Sequence, residues 1–188
     1  MSPPPEEPTD ERLAKATLSG DDEAFAELVR RHKRKVFRTV SRFVGNDELD
    51  DICQEIFIKV YHNLKDYRGE APFGHWLTRI AVNACYDSLR KRRREGNSVS
   101  LDTVDFSMSG PASEEVRNSG AWEILRQALG KLSPEDRIVI TLLHLEEKTV
   151  REISAQTGWS ESKVKVRAFR ARKELKKILE DEDGNRTG

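Results

Sequence analysis

Apolar residues recur every three or four positions through most of this chain, and that spacing predicts helices rather than strands. One long helix is expected over about residues 22–44, where Gly45 and Asn46 end the pattern, and a second over about 47–64. A third begins at Pro72, because proline suits the first turn of a helix, and ends in a run of cations at residues 90–94. The pattern therefore predicts an all-α protein.

The periodicity divides the chain into two small helical domains, residues 20–95 and 120–180. Between them, residues 96–119 lack periodicity and are rich in Ser, Gly, Asp and Asn, which predicts a flexible linker. Prolines and acids over residues 1–19 predict a disordered lead. Residues 181–188 are expected to form an acidic tail.

The second domain is predicted to end in a helix-turn-helix over residues 148–179. Its first helix is expected to stop at Gly158, because glycine tolerates the positive φ of a helix C-terminus. Ser160 is the expected N-cap of the next helix. Trp159 and Val164 flank that cap at the spacing of a hydrophobic staple, which would fix the angle between the two helices.

The second helix of this motif carries eight Lys and Arg against two Glu between residues 161 and 179. Such a helix suits a DNA major groove, where cations reach phosphates or base edges, and Val166 and Phe169 suit thymine methyl groups. The alternative is a solvated amphipathic helix, which leaves those two apolar residues unexplained. The residues assigned to duplex DNA are Ser162, Lys163, Lys165, Val166, Arg167, Phe169, Arg170 and Lys173.

Charge is strongly segregated although the 188 residues have a net charge of zero. Residues 30–44 hold seven cations and no acid, residues 45–71 hold seven acids and three cations, and residues 72–96 hold six cations and two acids. Alternating patches indicate two kinds of surface, one for a polyanion and one for a different partner.

The chain contains no apolar run near the length of a membrane span and no signal peptide, so we expect a cytoplasmic protein without membrane insertion. Cys53 and Cys85 fall on apolar helix faces with no further ligand at metal spacing, so both are expected in the core. Neither a bound metal nor a cofactor is predicted.

Two surfaces of the first domain carry candidate chemistry. The second helix presents Asp51, Gln54, Glu55 and Lys59 away from its apolar stripe, a row suited to docking on a basic protein surface. A solvated face is the simplest alternative, and carboxylates at Asp50, Asp51 and Glu55 would also suit a metal-dependent nuclease.

The loop at residues 67–71 and the third helix place aromatic residues beside a cationic cluster, as single-stranded nucleic acid requires. Core packing explains Phe73 and Trp76 equally well.

Motifs in both halves resemble the extracytoplasmic-function (ECF, group 4) sigma factors of bacterial RNA polymerase over about residues 20–180. Residues 51–61, DICQEIFIKVY, are similar to the family's D-L-x-Q-E-x-F segment. Residues 73–83, FGHWLTRIAVN, with the later Asp87, Leu89 and Arg90, resemble its F-x-x-W-L-x-x-I-A-x-N…D-x-L-R signature. Leu132-Ser133-Pro134 and RAFRAR at 167–172 resemble its C-terminal domain.

The resemblance implies a non-enzymatic factor that binds core RNA polymerase and promoter DNA and has a cognate anti-sigma factor. The α-helical face of Asp51, Gln54, Glu55 and Lys59 would meet the beta-prime clamp, and the second domain would meet the beta flap. The last helix would read the minus-35 element. The residues assigned to minus-10 recognition and melting are Tyr67, Arg68, Gly69, Trp76, Arg79, Asn83, Arg90, Arg92 and Arg93.

Two departures from the family pattern, at Gly74-His75 and at Val166, bear on promoter preference. The rival class is a stand-alone LuxR-like regulator, which would account for residues 120–179 but not for the acidic docking face.

Overall fold

The computed structural model describes residues 7–95 and 120–186, and within these ranges every regular element is a helix. The N-terminal half contains α1 (Asp10–Leu18), α2 (Asp22–Val40), α3 (Asn46–Asn63), a 3-10 turn (Leu64–Asp66) and α4 (Phe73–Arg94). The C-terminal half contains α5 (Gly120–Lys131), α6 (Pro134–Ile140) with a π-helical turn (Thr141–Leu145), α7 (Val150–Thr157) and α8 (Glu161–Arg186). The all-α prediction is confirmed.

The predicted disordered lead is wrong for residues 10–18, which form α1. Thr9 caps this helix by accepting a hydrogen bond from the Arg12 backbone N–H at 3.3 Å, and Leu13 and Ala14 are buried against α2. The Asp10 carboxylate lies 2.7 Å from Nε2 of His32, which ties the two helices together. Residues 1–6 and the predicted linker at 96–119 lie outside the described residues, and α8 runs into the predicted acidic tail.

Helix α2 ends at Val40 rather than at residue 44 as predicted. The backbone N–H groups of Phe43 and Val44 both bond back to the Val40 carbonyl, at 2.9 and 3.2 Å, so the chain turns here. Both side chains are nonetheless buried. Their apolar side chains have the spacing of one more turn of helix, because the non-helical turn after Val40 packs them into the same core as α2.

The helix-turn-helix forms as predicted. Gly158 has φ of 74° and its N–H bonds to the Ser154 carbonyl, while Ser160 Oγ accepts from the Lys163 N–H at 3.2 Å. Thr149 and Glu152 form a capping box at the start of α7. These local bonds fix where α8 begins and therefore which of its faces is outward.

One buried core runs through both predicted domains. Helix α4 packs on α2 and α3 and also on α6 and α7, so Leu77 and Cys85 share a core cluster with Ile138 and Ile153. A second, smaller cluster lies wholly within the C-terminal domain. Its buried members are Ala128, Leu129, Leu132, Ile140, Ala171 and Ile178. The two helical domains therefore pack against each other. We call this the closed arrangement.

Arg137 lies at the centre of the contact between the domains and is only 1% exposed. Its Nη2 donates to the Phe43 carbonyl at 3.1 Å, whereas Nε and Nη1 have no hydrogen-bond partner among the described residues. Burial and the nearby Arg92 lower the pKa of Arg137 to about 10. Since each unpaired buried donor costs about 1–3 kcal/mol, apolar packing and not this arginine stabilises the contact.

Candidate functional site

The outer face of α8 is cationic and also carries two exposed apolar side chains. Phe169 is 70% exposed and Val166 is 50% exposed, while Val164, Ala168 and Ala171 on the opposite side are buried. Lys163 Nζ lies 4.1 Å from the centroid of the Trp159 ring. The residues of the predicted DNA-contacting face that are exposed are Ser162, Lys163, Lys165, Val166, Phe169, Arg170 and Lys173.

Arg167 is the exception on this face, because it is half-buried and paired inside the protein. Its guanidinium lies 3.5 Å from Asp136 and 3.9 Å from Glu135, two acids in the first turn of α6. Burial would raise the pKa of Glu135, but the hydrogen bond from Tyr86 and the charge of Arg167 lower it. In the closed arrangement Arg167 is therefore engaged by these two acids, and its assignment to the DNA-contacting residues stays a prediction.

The predicted docking face of α3 is exposed at Asp51, Gln54 and Glu55, and Lys59 pairs with Glu55 at 2.7 Å. Sequence reasoning missed Ile58, which is 51% exposed. Ile58 lies two turns after Asp51 and so faces the same way. The signal was present in the sequence, since Ile58 falls outside the buried stripe of α3.

The loop before α4 is held by an aromatic cluster. The Tyr67 ring centroid lies 5.3 Å from those of Phe73 and Trp76, and the Tyr67 hydroxyl donates to the Ala71 carbonyl at 3.0 Å. Arg68 and Gly69 at the tip are exposed. The cluster therefore positions an exposed loop while its rings remain partly buried.

The remaining predicted minus-10 residues on α4 differ in their availability. Arg90 and Arg93 are exposed and Asn83 is half-buried. Arg92 is mostly buried and pairs with Glu48 of α3, with Nε 2.8 Å from Oε1, so it joins two helices. In this arrangement Arg92 is engaged inside the protein, and its assignment to the minus-10 element stays a prediction.

The two domains also meet through residues that lie beside the predicted DNA-contacting surfaces. A Cβ placed on Gly158 would lie 2.9 Å from Nη2 of Arg79. The rings of Tyr86 and Trp159 make an edge contact with centroids 5.7 Å apart, and the Tyr86 hydroxyl donates to Glu135 at 2.8 Å. Sequence reasoning missed Tyr86, because its partners come from the other domain.

Neither cysteine has the environment of a reactive thiol. Burial raises the pKa of both, that of Cys53 to about 11 with a contribution from Asp50. Over the described ranges, no three His, Cys, Asp or Glu side chains are grouped to hold a metal ion. No helix in the described part of the chain is long and apolar enough to cross a membrane.

Comparison with known proteins places both halves in one family. A family model for Sigma-70 region 2 matches residues 28–95, and one for Sigma-70 region 4 matches residues 122–175. The ECF RNA polymerase sigma-E factor of Escherichia coli (strain K12) is 36% identical over 179 residues, 90% of this chain and 94% of that protein. The sigma-E factor of Haemophilus influenzae is 30% identical over 93% of this chain and 97% of its own length.

Two solved structures have the same architecture. CnrH, solved in complex with the cytosolic domain of CnrY, has a TM-score of 0.56 at 27% identity, covering 92% of this chain and 97% of its own. The sigma factor RpoE of Bartonella quintana, in complex with the anti-sigma factor NepR, has a TM-score of 0.55 at 21% identity, covering 83% and 96%. The second likeness concerns the fold alone.

These matches span the acidic docking face and the helix-turn-helix together, which leaves a stand-alone LuxR-like regulator without support. The chain belongs to the ECF sigma factors, which bind core RNA polymerase and direct promoter-specific transcription initiation.

Proposed function

We propose that the two domains divide promoter recognition between them. Residues 20–95 bind core polymerase through α3 and recognise and melt the minus-10 element through the loop at 67–71 and α4. Residues 120–180 read the minus-35 element through α8. The protein acts in the cytoplasm, by binding rather than by catalysis.

The observation that carries this proposal is the exposed face of α8, where cations surround Val166 and Phe169. Exposed apolar residues on a cationic helix are costly in water but match thymine methyl groups and phosphates in a major groove. Footprinting of the holoenzyme tests the assignment. Replacing Lys165 and Arg170 by Ala should remove protection of the upstream element and leave the start-site region opened. Loss of upstream protection together with loss of opening would contradict the assignment.

The α3 face has the composition of a protein-docking surface. Asp51 and Glu55 supply acids at its rim, and Ile58 supplies an exposed apolar centre. Interfaces commonly combine an apolar centre with charges that set orientation and association rate. We assign this face to the beta-prime clamp of core polymerase.

A groove of about 400 Å³ on the C-terminal domain is the proposed site for the beta flap. Ile140, Leu175 and Leu179 form its apolar floor, with His144 and Arg172 at the edge. The groove lies between α6 and α8, beside the smaller core cluster. An apolar partner segment would cover side chains that are otherwise half-exposed.

We infer that promoter binding requires the two domains to separate. Elements at minus-35 and minus-10 are about 25 base pairs apart, roughly 85 Å along B-form DNA. In the closed arrangement α4 and α7 are in direct contact, and Arg79 lies against Gly158. One duplex cannot meet both surfaces in this state.

We further propose a cognate anti-sigma factor that binds the closed arrangement. CnrH and the Bartonella RpoE were each solved with a second protein, in the latter case an anti-sigma factor. A partner that bound both domains of this chain would hold the closed arrangement and block the polymerase.

A further inference from the structure

A cleft of about 700 Å³ lies between the two domains, and five Lys and Arg side chains are among the residues that line it. Helix α2 and the turn after it contribute Lys35, Arg38 and Arg42, and the C-terminal domain contributes Lys148 and Arg151. His75, at the start of α4, lies between them. Both domains therefore supply positive charge to one enclosed space.

The acids at this cleft are already engaged. Glu146 pairs with Arg42, and Glu152 accepts from the backbone N–H and hydroxyl of Thr149 in the capping box of α7. Within the described ranges, Arg38, Lys148 and Arg151 have no carboxylate at ion-pair distance. The cleft thus has five Lys and Arg side chains against two carboxylates, an excess of positive charge.

Lys35 also lies close to other cations of the cleft. Its ammonium donates to the Gly74 carbonyl at 2.9 Å, and glycine permits this approach, because a Cβ at Gly74 would lie 3.1 Å from Nζ. Burial, together with the nearby Lys148 and Arg38, lowers the pKa of Lys35. A bound anion would relieve the mutual repulsion among these cations.

We propose that this cleft binds a small anion carrying two or more phosphate groups, of the pyrophosphate or nucleoside polyphosphate class, through cations of both domains. Its volume lies within the range of roughly 300–1,000 Å³ typical of small-ligand sites. Arginine and lysine are the side chains that hold such groups, arginine with two parallel hydrogen bonds. Duplex DNA is too wide to enter a cleft of this size.

The ligand would regulate the protein, an inference that rests on the proposed need for the domains to separate. Separation removes Lys148 and Arg151 from Lys35 and Arg38, so the anion binds the closed arrangement more tightly. By linkage, the same difference in affinity stabilises the closed arrangement and opposes polymerase binding.

Calorimetric titration of the full-length protein with tripolyphosphate at low salt tests the site. Arg38→Ala in one domain and Arg151→Ala in the other should each weaken binding roughly tenfold, the loss expected for one charge-assisted contact. Arg12→Ala removes an exposed cation on α1, away from the cleft, and should leave binding unchanged. The two test residues are themselves exposed, so neither variant threatens the fold.

A second measurement links the site to regulation. Tripolyphosphate should weaken assembly of the unmodified protein with core polymerase, and Arg151→Ala should remove this effect. Assembly is measured by binding rather than by transcription, because the anion chelates magnesium. No binding, equal loss in Arg12→Ala, or loss in only one of the two cleft variants would overturn the proposal. Tighter binding of an acidic peptide with the same variant pattern would also overturn it. Promoter-specific transcription without the anion would still establish the proposed function.

Discussion

Arg170 and Lys177 separate base reading from phosphate anchoring on α8, since both are exposed and lie two turns apart. Losing a bidentate base contact costs about 1–3 kcal/mol at one base pair, whereas losing a phosphate contact weakens all sequences alike. Arg170→Ala should therefore flatten discrimination at one upstream position, and Lys177→Ala should preserve it. Holoenzyme binding to single-base promoter variants at several salt concentrations measures the effect of each variant on discrimination. Equal weakening of all promoter variants by Arg170→Ala would show that α8 binds DNA only electrostatically.

Gly158→Ala tests the close approach between the domains, with Gly20→Ala as its control. Both glycines have positive φ, 74° and 94°, so alanine strains each by about 1 kcal/mol. At Gly20 the new methyl group meets no atom within 4 Å, while at Gly158 it meets Arg79 at 2.9 Å. Because Nη2 is the far end of an exposed side chain that can move, the melting temperature should fall by a similar amount in the two variants. A clearly larger loss for Gly158→Ala would mean that Arg79 is held against the glycine.

Single residues were predictable where the governing interaction is local. Gly158 and Ser160 were identified from capping rules that involve neighbours within five residues. The pairing of Arg167 inside the protein was not predicted from the sequence. Its acids lie on α6, about thirty residues earlier in the chain, and no pattern within α8 reveals them.

At the scale of the element, α3 is the helix that we propose docks on core polymerase, and the charge of its exposed face can be reversed. Asp51→Lys with Glu55→Lys should weaken core polymerase binding by opposing the complementary surface, and helix content should be unchanged because both side chains are exposed. Asp51→Lys and Asp50→Lys each reverse one acid, about 100° apart on α3, so Asp50→Lys is the matched control for the single change. A core-binding titration in which Asp51→Lys and Asp50→Lys behave alike would contradict the assignment.

Helix α1 illustrates how composition can hide an element. Its sequence contains an N-cap at Thr9, acids in the first turn and buried Leu13, Ala14 and Thr17 at helical spacing. Prolines and acids nearby favoured disorder over the whole lead. The deciding contact, between Asp10 and His32, is again a tertiary one.

At the scale of the whole molecule, the closed arrangement and polymerase binding should compete. Tyr86→Ala removes the hydrogen bond to Glu135 and the ring contact with Trp159, both of which cross between the domains. Weakening the closed arrangement raises the fraction of protein that is competent to bind, so affinity for core polymerase should increase. An unchanged or lower affinity, with the fold intact by circular dichroism, would show that polymerase binds without separation of the domains.

The two helical domains were predictable because their periodicity is local, but their contact was not. Arg137 and the Phe43 carbonyl are 94 residues apart in sequence. The apolar positions on each side of the contact have the spacing expected for the core of a single domain. The apolar pattern of a helix predicts which of its faces is buried. It does not predict which other element covers that face.

Run-off transcription with core polymerase on a library of promoter fragments tests the assignment of this chain as a sigma factor most directly. The chain should cause core polymerase to start at defined positions on a subset of fragments that share an upstream and a downstream element. Substituting Lys165 and Arg170 by Ala should remove the selection for the upstream element without abolishing core binding. Transcription that starts no more specifically than with core polymerase alone would contradict the account.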